Sequence, residues 1–98
     1  MRKWKIRFTP EASRLISKLH PESKKNIKKA LEELQQNPYL GKDLHEELSE
    51  FKSLRLKQYR IIYNIREEMR FVQIYYLGRR KDVYEQFRNL LTDLKIRP

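Results

Sequence analysis

The stretch FKSLRLKQYRIIYNIREEMRFVQIYYL, residues 51–77, alternates apolar with polar side chains in three consecutive runs. The first run ends at Lys57, the second extends from Tyr59 to Arg66, and the third from Arg70 to Leu77. A period of two, with many β-branched and aromatic residues, indicates half-buried strands. Glu67-Glu68-Met69 is a short connection typical of a hairpin. We therefore expect a three-stranded antiparallel meander.

The residues before the meander predict one strand and a helix hairpin. Residues 4–8 alternate in the same way as the later strands. Thr9 is a favourable helix cap, and Pro10 stands where its missing N–H costs nothing. Apolar residues then recur at helical spacing, and the prolines of His20-Pro21 and Asn37-Pro38 end two successive helices. Two helices joined so tightly are antiparallel neighbours that face a common sheet.

Residues 38–50 are acidic, and we expect a loop there with at most a helical turn. After Gly78 a last helix is predicted, for which Asp82 is the candidate cap. Helices followed by a strand meander indicate an α+β fold in one domain, residues 1–98. The helix hairpin is expected on one face of the sheet, and an open, cationic surface on the other. The stripe that would dock the last helix on the sheet consists of Val83, Phe87, Leu90, Leu91 and Leu94.

The composition excludes several classes of protein. The chain of 98 residues contains no cysteine, which removes disulfides, thiolate nucleophiles and cysteine-based metal sites. Only two histidines are present, so we expect no metal site and no cofactor. The apolar runs are too short to span a membrane, and the basic start has no apolar stretch of a signal peptide. A cytoplasmic protein with an anionic partner is therefore expected.

The positive charge is concentrated in the second half of the chain. The formal net charge is +10, of which residues 1–50 carry +3 and residues 51–98 carry +7. Five of the six tyrosines also lie in the second half. Cations meet phosphates while aromatic rings stack on bases, so this mixture favours a nucleic acid as partner. The alternative is a solubilising surface around an ordinary core.

The sequence contains no common catalytic constellation. His20 precedes a proline at a helix end, where we expect a local cap or a surface position, and His45 lies in an acidic loop, where solvent exposure is expected. An enzyme built on Arg, Lys and Tyr is suited to cleaving RNA through its own 2′-hydroxyl. That reaction needs no external nucleophile, and guanidinium groups can stabilise the charge that develops on the phosphate.

Five blocks of the sequence, taken in order, resemble the RelE/ParE toxin superfamily of type II toxin–antitoxin systems. The resemblance extends from residue 4 to about residue 88 and agrees with the layout read from periodicity. The blocks are Phe8-Thr9-Pro10-Glu11-Ala12, Asn37-Pro38-Tyr39-Leu40-Gly41-Lys42, Leu54-Arg55-Leu56, Tyr59-Arg60-Ile61-Ile62-Tyr63 and Gly78-Arg79-Arg80-Lys81-Asp82-Val83-Tyr84.

The resemblance implies a ribosome-dependent endoribonuclease of the RelE type, which cuts mRNA in the A site and inhibits translation. Arg60 then contacts the scissile phosphate, Arg80 is a phosphate ligand and candidate general acid, and Tyr84 stacks on a base. Arg55 lies near the position of the family's candidate for charge stabilisation or for the general base, a role that Lys52 or Lys57 could fill instead. The residues expected to contact RNA are Lys52, Lys57, Arg79 and Lys81.

The same resemblance leaves other functions open. ParE-like members share the fold but poison DNA gyrase, and a toxin fold that has lost its activity would only bind a partner or operator DNA. Arg60 could instead form a structural ion pair with Glu68 or Asp43, and Tyr84 could simply pack on the sheet. The family also implies an acidic antitoxin that covers the basic sheet. The last helix is either displaced by that antitoxin or a fixed part of the core.

Overall fold

The computed structural model describes residues 3–79 and 83–96, with side chains up to Asp93. In this part of the chain, three helices and five strands form an α+β fold. The strands are β1 (Lys5–Phe8), β2 (Lys42–Asp43), β3 (Lys52–Leu56), β4 (Tyr59–Arg66) and β5 (Phe71–Arg79). The helices are α1 (Pro10–Ser17), α2 (Pro21–Gln36) and α3 (Val83–Ile96).

The five strands form one mixed sheet in the order β1-β5-β4-β3-β2. Strands β3, β4 and β5 are antiparallel neighbours, which confirms the predicted meander. Strand β1 pairs with β5 in parallel, because the α1–α2 hairpin carries the chain away from β1 before it returns to the sheet. Strand β4 is the central strand and pairs along its whole length with β5.

The helix boundaries follow the predicted caps. The Thr9 side chain accepts a hydrogen bond from the Ala12 N–H at 3.1 Å, and Pro10 is the first residue of α1. At the start of α2, His20 Nδ1 accepts from the Glu22 N–H at 3.2 Å. His20 is therefore a local cap, as expected, and His45 is solvent-exposed, as expected.

One face of the sheet packs against the α1–α2 hairpin and forms the larger core. Its side chains come from alternate positions of β4 and β5 and from the apolar stripes of both helices. Burial of these side chains is the main stabilising contribution to the fold. The buried members are Ala12, Ile27, Ala30, Leu34, Ile61, Tyr63, Val72, Ile74 and Leu77.

The opposite face carries a second, smaller core, so the expectation of an open face was wrong in part. Val83 and Phe87 of α3 pack on Ile62 together with Leu48 and Phe51 from the segment before β3. All five side chains are buried, because the outward positions near the middle of β4 are uncharged and can be covered. Of the residues predicted around α3, Asp82 and the side chain of Leu94 lie outside the described part of the chain.

The segment between α2 and β3 is more structured than the predicted loop. It contains the short strand β2 and two 3₁₀ turns, at Pro38–Leu40 and Glu46–Leu48. The helical turn was expected, whereas β2 was not. A two-residue strand lacks a readable alternation, so only its pairing with β3 reveals it.

The Tyr63 hydroxyl anchors this segment to the larger core. It donates to the Pro38 carbonyl at 2.8 Å and accepts from the Gly41 N–H at 2.9 Å. A Cβ atom on Gly41 would stand 2.5 Å from that hydroxyl and 2.9 Å from the Ser53 carbonyl oxygen, so only glycine allows this approach. Burial raises the pKa of Tyr63 to about 12.

Tyr63→Phe is expected to lower the free energy of unfolding by about 1–3 kcal/mol, because the buried Pro38 carbonyl and the partly buried Gly41 N–H lose their partner. The raised pKa of Tyr63 means that the native state binds the phenol proton more tightly than the unfolded state. This contribution to stability is complete below pH 10 and is lost as the pH rises from 10 to 12. Urea denaturation of both proteins at pH 8 and in this alkaline range measures the two effects.

Tyr39→Phe is the matched control, because the Tyr39 hydroxyl donates to Glu67 at the surface. We expect it to cost less than about 0.5 kcal/mol. Equal losses for the two variants, or the same alkaline destabilisation in Tyr63→Phe as in the wild type, would contradict the anchoring role of Tyr63.

Candidate active site

Arg60 lies on the central strand β4, between one residue of β3 and one residue of β5. The register pairs it with Arg55 on β3 and with Gly78 on β5. Directly paired residues of adjacent strands share a face, so Arg55 and Arg60 lie on the face that α3 partly covers. A Cβ on Gly78 would come within 3.1–3.3 Å of Val83, so this glycine allows the start of α3 to lie close to the sheet.

The Arg60 guanidinium is partly withdrawn from water and has no anionic partner in the described structure. Its Nη1 donates to Ser53 Oγ at 3.5 Å, and its Nε is buried without a hydrogen-bond partner. No carboxylate among residues 3–79 and 83–93 forms an ion pair with it, so the alternatives of Glu68 and Asp43 are not realised. A cation in this state attracts an anion strongly, because water screens it less than at an open surface.

Tyr84 of α3 lies against Arg60, with its ring centroid 5.5 Å from the guanidinium carbon. The Tyr84 hydroxyl donates to Ser53 Oγ at 3.1 Å. Ser53 is only 3% exposed and receives hydrogen bonds from both Arg60 and Tyr84. One buried hydroxyl therefore ties the strand arginine to the helix tyrosine.

Ser53 was not recognised from the sequence. The signal that could have found it is the alternation of β3, which places Ser53 on the same face as Arg55, two residues further along. What the alternation cannot give is the contact with Tyr84, which is 31 positions away in the chain.

A surface cleft of about 470 Å³ opens beside Arg60 and Tyr84. The segment from Lys42 to Leu48 forms its opposite wall, and Arg88 of α3 closes one side. The solvent-exposed His45 also lines this cleft. Arg88 also contacts Glu47, an ion pair at the rim. The cleft thus combines a phenol, an imidazole and further cations with an arginine that has no ion pair among the described residues. The carboxylates of Asp43 and Glu46 also line it.

The other predicted residues occupy different surroundings. Arg55 is exposed and lines a neighbouring cleft together with Arg60. Lys57 lies in the turn between β3 and β4 with a positive φ of 43°. Arg79 pairs with Tyr59 and its guanidinium carbon stands 6.0 Å from that ring, so it lies on the face opposite to Arg60.

Lys52 also lies away from Arg60. It pairs with Tyr63 in the sheet register and forms an ion pair with Asp43 at 2.5 Å, which holds the pKa of that carboxyl below its usual range. Two predicted site residues, Arg80 and Lys81, lie outside the described residues. Arg55, Arg60 and Tyr84 are therefore the predicted residues that the described structure brings together.

Neither a metal cluster nor a membrane helix is found in the described ranges. No group of three or more acidic or histidine side chains there could hold a metal ion. No helix in the same ranges is long and apolar enough to cross a membrane.

The family model of the ParE-like toxin of type II bacterial toxin–antitoxin systems matches residues 6–88. The chain belongs to this toxin family. It is thus a type II toxin with the RelE/ParE fold, which confirms the resemblance seen in the sequence. No curated protein sequence matches it significantly.

Solved structures similar to the toxin include RelE toxins. A chain of the RelBE2 toxin–antitoxin complex from Mycobacterium tuberculosis is 32% identical, with a TM-score of 0.73 over 80% of this chain and 99% of that chain. The isolated E. coli RelE toxin is 21% identical, with a TM-score of 0.69 over 90% and 98% of the two chains. The archaeal RelE–RelB complex from Pyrococcus horikoshii is 15% identical, with a TM-score of 0.66 over 81% and 97%. The last two likenesses concern the fold alone.

A double-mutant cycle on Ser53 and Tyr84 tests the link between strand and helix. Ser53→Ala removes the acceptor and Tyr84→Phe removes the donor of one partly buried hydrogen bond. We expect a coupling energy of about 1 kcal/mol in the free energy of unfolding. The matched control is the exposed pair Tyr76 and Gln86, whose hydrogen bond is 3.3 Å long and for which a smaller coupling is expected. Additive effects at Ser53 and Tyr84 would contradict the link.

Proposed function

We propose that the toxin is a ribosome-dependent endoribonuclease that cleaves mRNA in the ribosomal A site and thereby inhibits translation in the cytoplasm. The observation that supports this proposal best is Arg60, a partly buried guanidinium without an anionic partner among the described residues. It lies at the edge of an open cleft beside an aromatic ring. A phosphodiester with a stacked base has the charge and shape that such a site accepts.

In the proposed reaction the substrate supplies its own nucleophile. The 2′-oxygen attacks the adjacent phosphorus, the bond from phosphorus to the 5′-oxygen breaks, and the 2′-hydroxyl proton is lost to a base. The leaving 5′-oxygen takes up a proton, so the upstream fragment keeps a cyclic phosphate and the downstream fragment a 5′-hydroxyl. No metal or cofactor is needed for these steps.

Within this proposal each site residue has a separate task. Arg60 stabilises the charge that develops on the phosphate oxygens, and Arg55 on the neighbouring strand adds to the positive potential. Tyr84 stacks on a base and, because Ser53 holds its hydroxyl, presents its ring in one orientation. We assign Arg80 to the phosphate as ligand and candidate acid. The proposed RNA contacts are Lys57 and Lys81, and also Lys52 and Arg79. The last two, which the register places away from Arg60, would contact RNA outside the cleft.

We further propose an acidic cognate antitoxin as partner, since the toxin has a net charge of +10. The similar structures from M. tuberculosis and P. horikoshii are toxin–antitoxin complexes. An acidic chain over the cleft would neutralise Arg60 and exclude RNA at the same time.

The second candidate function is inhibition of DNA gyrase through protein–protein binding. The observation that favours it is the family model itself, which is named after ParE-like toxins. It predicts gyrase–DNA cleavage complexes and DNA-damage signalling without mRNA cuts. An inactive toxin fold that only binds a partner would be harmless when overproduced.

Primer extension on a translated reporter mRNA with purified ribosomes tests the nuclease proposal. We expect cuts within the A-site codon with the wild type and a rate about 10²–10³-fold lower with Arg60→Ala, because one charge-stabilising donor is lost. Arg80→Ala is expected to abolish the cuts. Arg66→Ala is the matched control, an exposed arginine at the far end of the same strand, and should cut like the wild type.

Circular dichroism of each variant must show a folded protein before its rate is interpreted. Wild-type cutting by a folded Arg60→Ala would remove Arg60 from the mechanism. Intact mRNA in the presence of a wild-type protein that still arrests growth would favour gyrase as the target.

A further inference from the structure

We infer that the toxin binds single-stranded RNA along a continuous cationic groove that extends beyond the active-site cleft to helix α2. The groove begins at Lys29, crosses the turn between β3 and β4, and ends at the cleft beside Arg60. This inference rests on the proposed function for the identity of the ligand, and it adds Lys29 and Lys42, which lie outside the proposed catalytic set, to the residues that contact RNA.

Three adjoining clefts form the groove. A cleft of about 240 Å³ lies between α2 and β3, where Lys29, Arg55 and Lys57 line it. A second cleft of about 210 Å³ shares Arg55 with the first and contains Lys42 and Arg60. The active-site cleft shares Lys42 and Arg60 with the second. Because each cleft has wall residues in common with the next, a ligand can run through all three.

The outer edge of β3 is open where the groove crosses it. Strand β2 pairs only with Lys52 and Ser53, so residues 54–56 have no neighbouring strand on that side among the described residues. Lys57 follows in the turn with a left-handed backbone. A flexible single strand can bend around this edge, whereas a rigid duplex cannot follow it.

The cations along the groove are available to a ligand. Lys29, Arg55 and Lys57 are exposed, and none of them forms an ion pair within the described ranges. Glu33 lines the first cleft but lies beyond ion-pair distance of Lys29, although the two residues are one helical turn apart. From α2 to Arg60 the groove therefore offers cations that no carboxylate approaches within ion-pair distance in the described ranges.

This arrangement suits the sugar–phosphate backbone of RNA better than an acidic polypeptide. The groove leads into the cleft where Arg60 would hold the scissile phosphate, so the adjacent phosphates continue along Arg55, Lys57 and Lys29. Flexible lysines neutralise phosphates without reading bases, so the groove would bind RNA without base specificity. Lys29 and Lys42 are the new RNA contacts that the groove adds.

The test measures binding rather than cleavage. The probe is a fluorescent RNA of about twelve nucleotides, a length within the range of single-strand binding sites. It is fully 2′-O-methylated, so it contains no attacking hydroxyl. Anisotropy titrations between about 50 and 200 mM KCl give the dissociation constant and its salt dependence. Lys29→Gln and Lys57→Gln are compared with Lys24→Gln, an exposed lysine on the same helix that lines none of the three clefts.

We expect Lys29→Gln and Lys57→Gln each to weaken binding. Each should also make the negative slope of log K against log salt shallower by about 0.7, the value for one phosphate contact on a single strand. Lys24→Gln should leave both quantities nearly unchanged. Equal losses for all three variants would show a diffuse charge effect and overturn the groove. No binding of the probe, or no loss with Lys29→Gln, would overturn it as well.

A polyglutamate of the same charge is the competing probe. If it binds as tightly as the RNA and loses affinity with the same variants, the groove belongs to an acidic polypeptide instead. Because the probe cannot be cleaved, this experiment tests binding to the groove independently of the proposed nuclease activity. If the wild type shows the expected slopes but leaves mRNA intact on ribosomes, the groove is supported and the proposed cleavage reaction is contradicted.

Discussion

The pairing register of β4 is the constraint on which both cores and the candidate site depend. It directs Ile61 and Tyr63 toward the helix hairpin and places Arg60 and Ile62 on the face of α3. A slip of one residue would exchange these two sets. It would bury a charged guanidinium in the larger core, which is costly without a partner. The same burial that stabilises the sheet therefore fixes Arg60 beside the cleft.

The larger core also shapes the site through a single hydroxyl. Tyr63 holds the Pro38 carbonyl and the Gly41 N–H, and the chain that follows Gly41 becomes the wall of the cleft. On the other face, Ser53 performs a similar task for Arg60 and Tyr84. Two buried hydroxyl groups thus connect the packing of the sheet with the position of the cations. Arg60 Nε is buried there without a hydrogen-bond partner among the described residues.

Local sequence patterns predicted the helices, their caps and the meander, because neighbouring residues decide those features. The resemblance indicated Arg55, Arg60 and Tyr84, whereas the pairing of Arg60 with Arg55 was not predicted. The remaining features depend on contacts between distant residues. The parallel pairing of β1, the strand β2, the cover on Ile62 and the Ser53–Tyr84 bond all join segments that the periodicity treats separately. Placement of Lys52 and Arg79 away from Arg60 likewise follows from the register.

The chemical ends of the cleaved mRNA test the central claim most directly, because they record which atom attacked the phosphorus. Ribosomes stalled on a defined mRNA are treated with the wild-type toxin, and the fragments are examined by mass spectrometry. Attack by the 2′-hydroxyl predicts a 2′,3′-cyclic phosphate on the upstream fragment and a 5′-hydroxyl on the downstream fragment. A 3′-hydroxyl paired with a 5′-phosphate, or an uncut mRNA, would contradict a site in which arginines act on the substrate's own nucleophile.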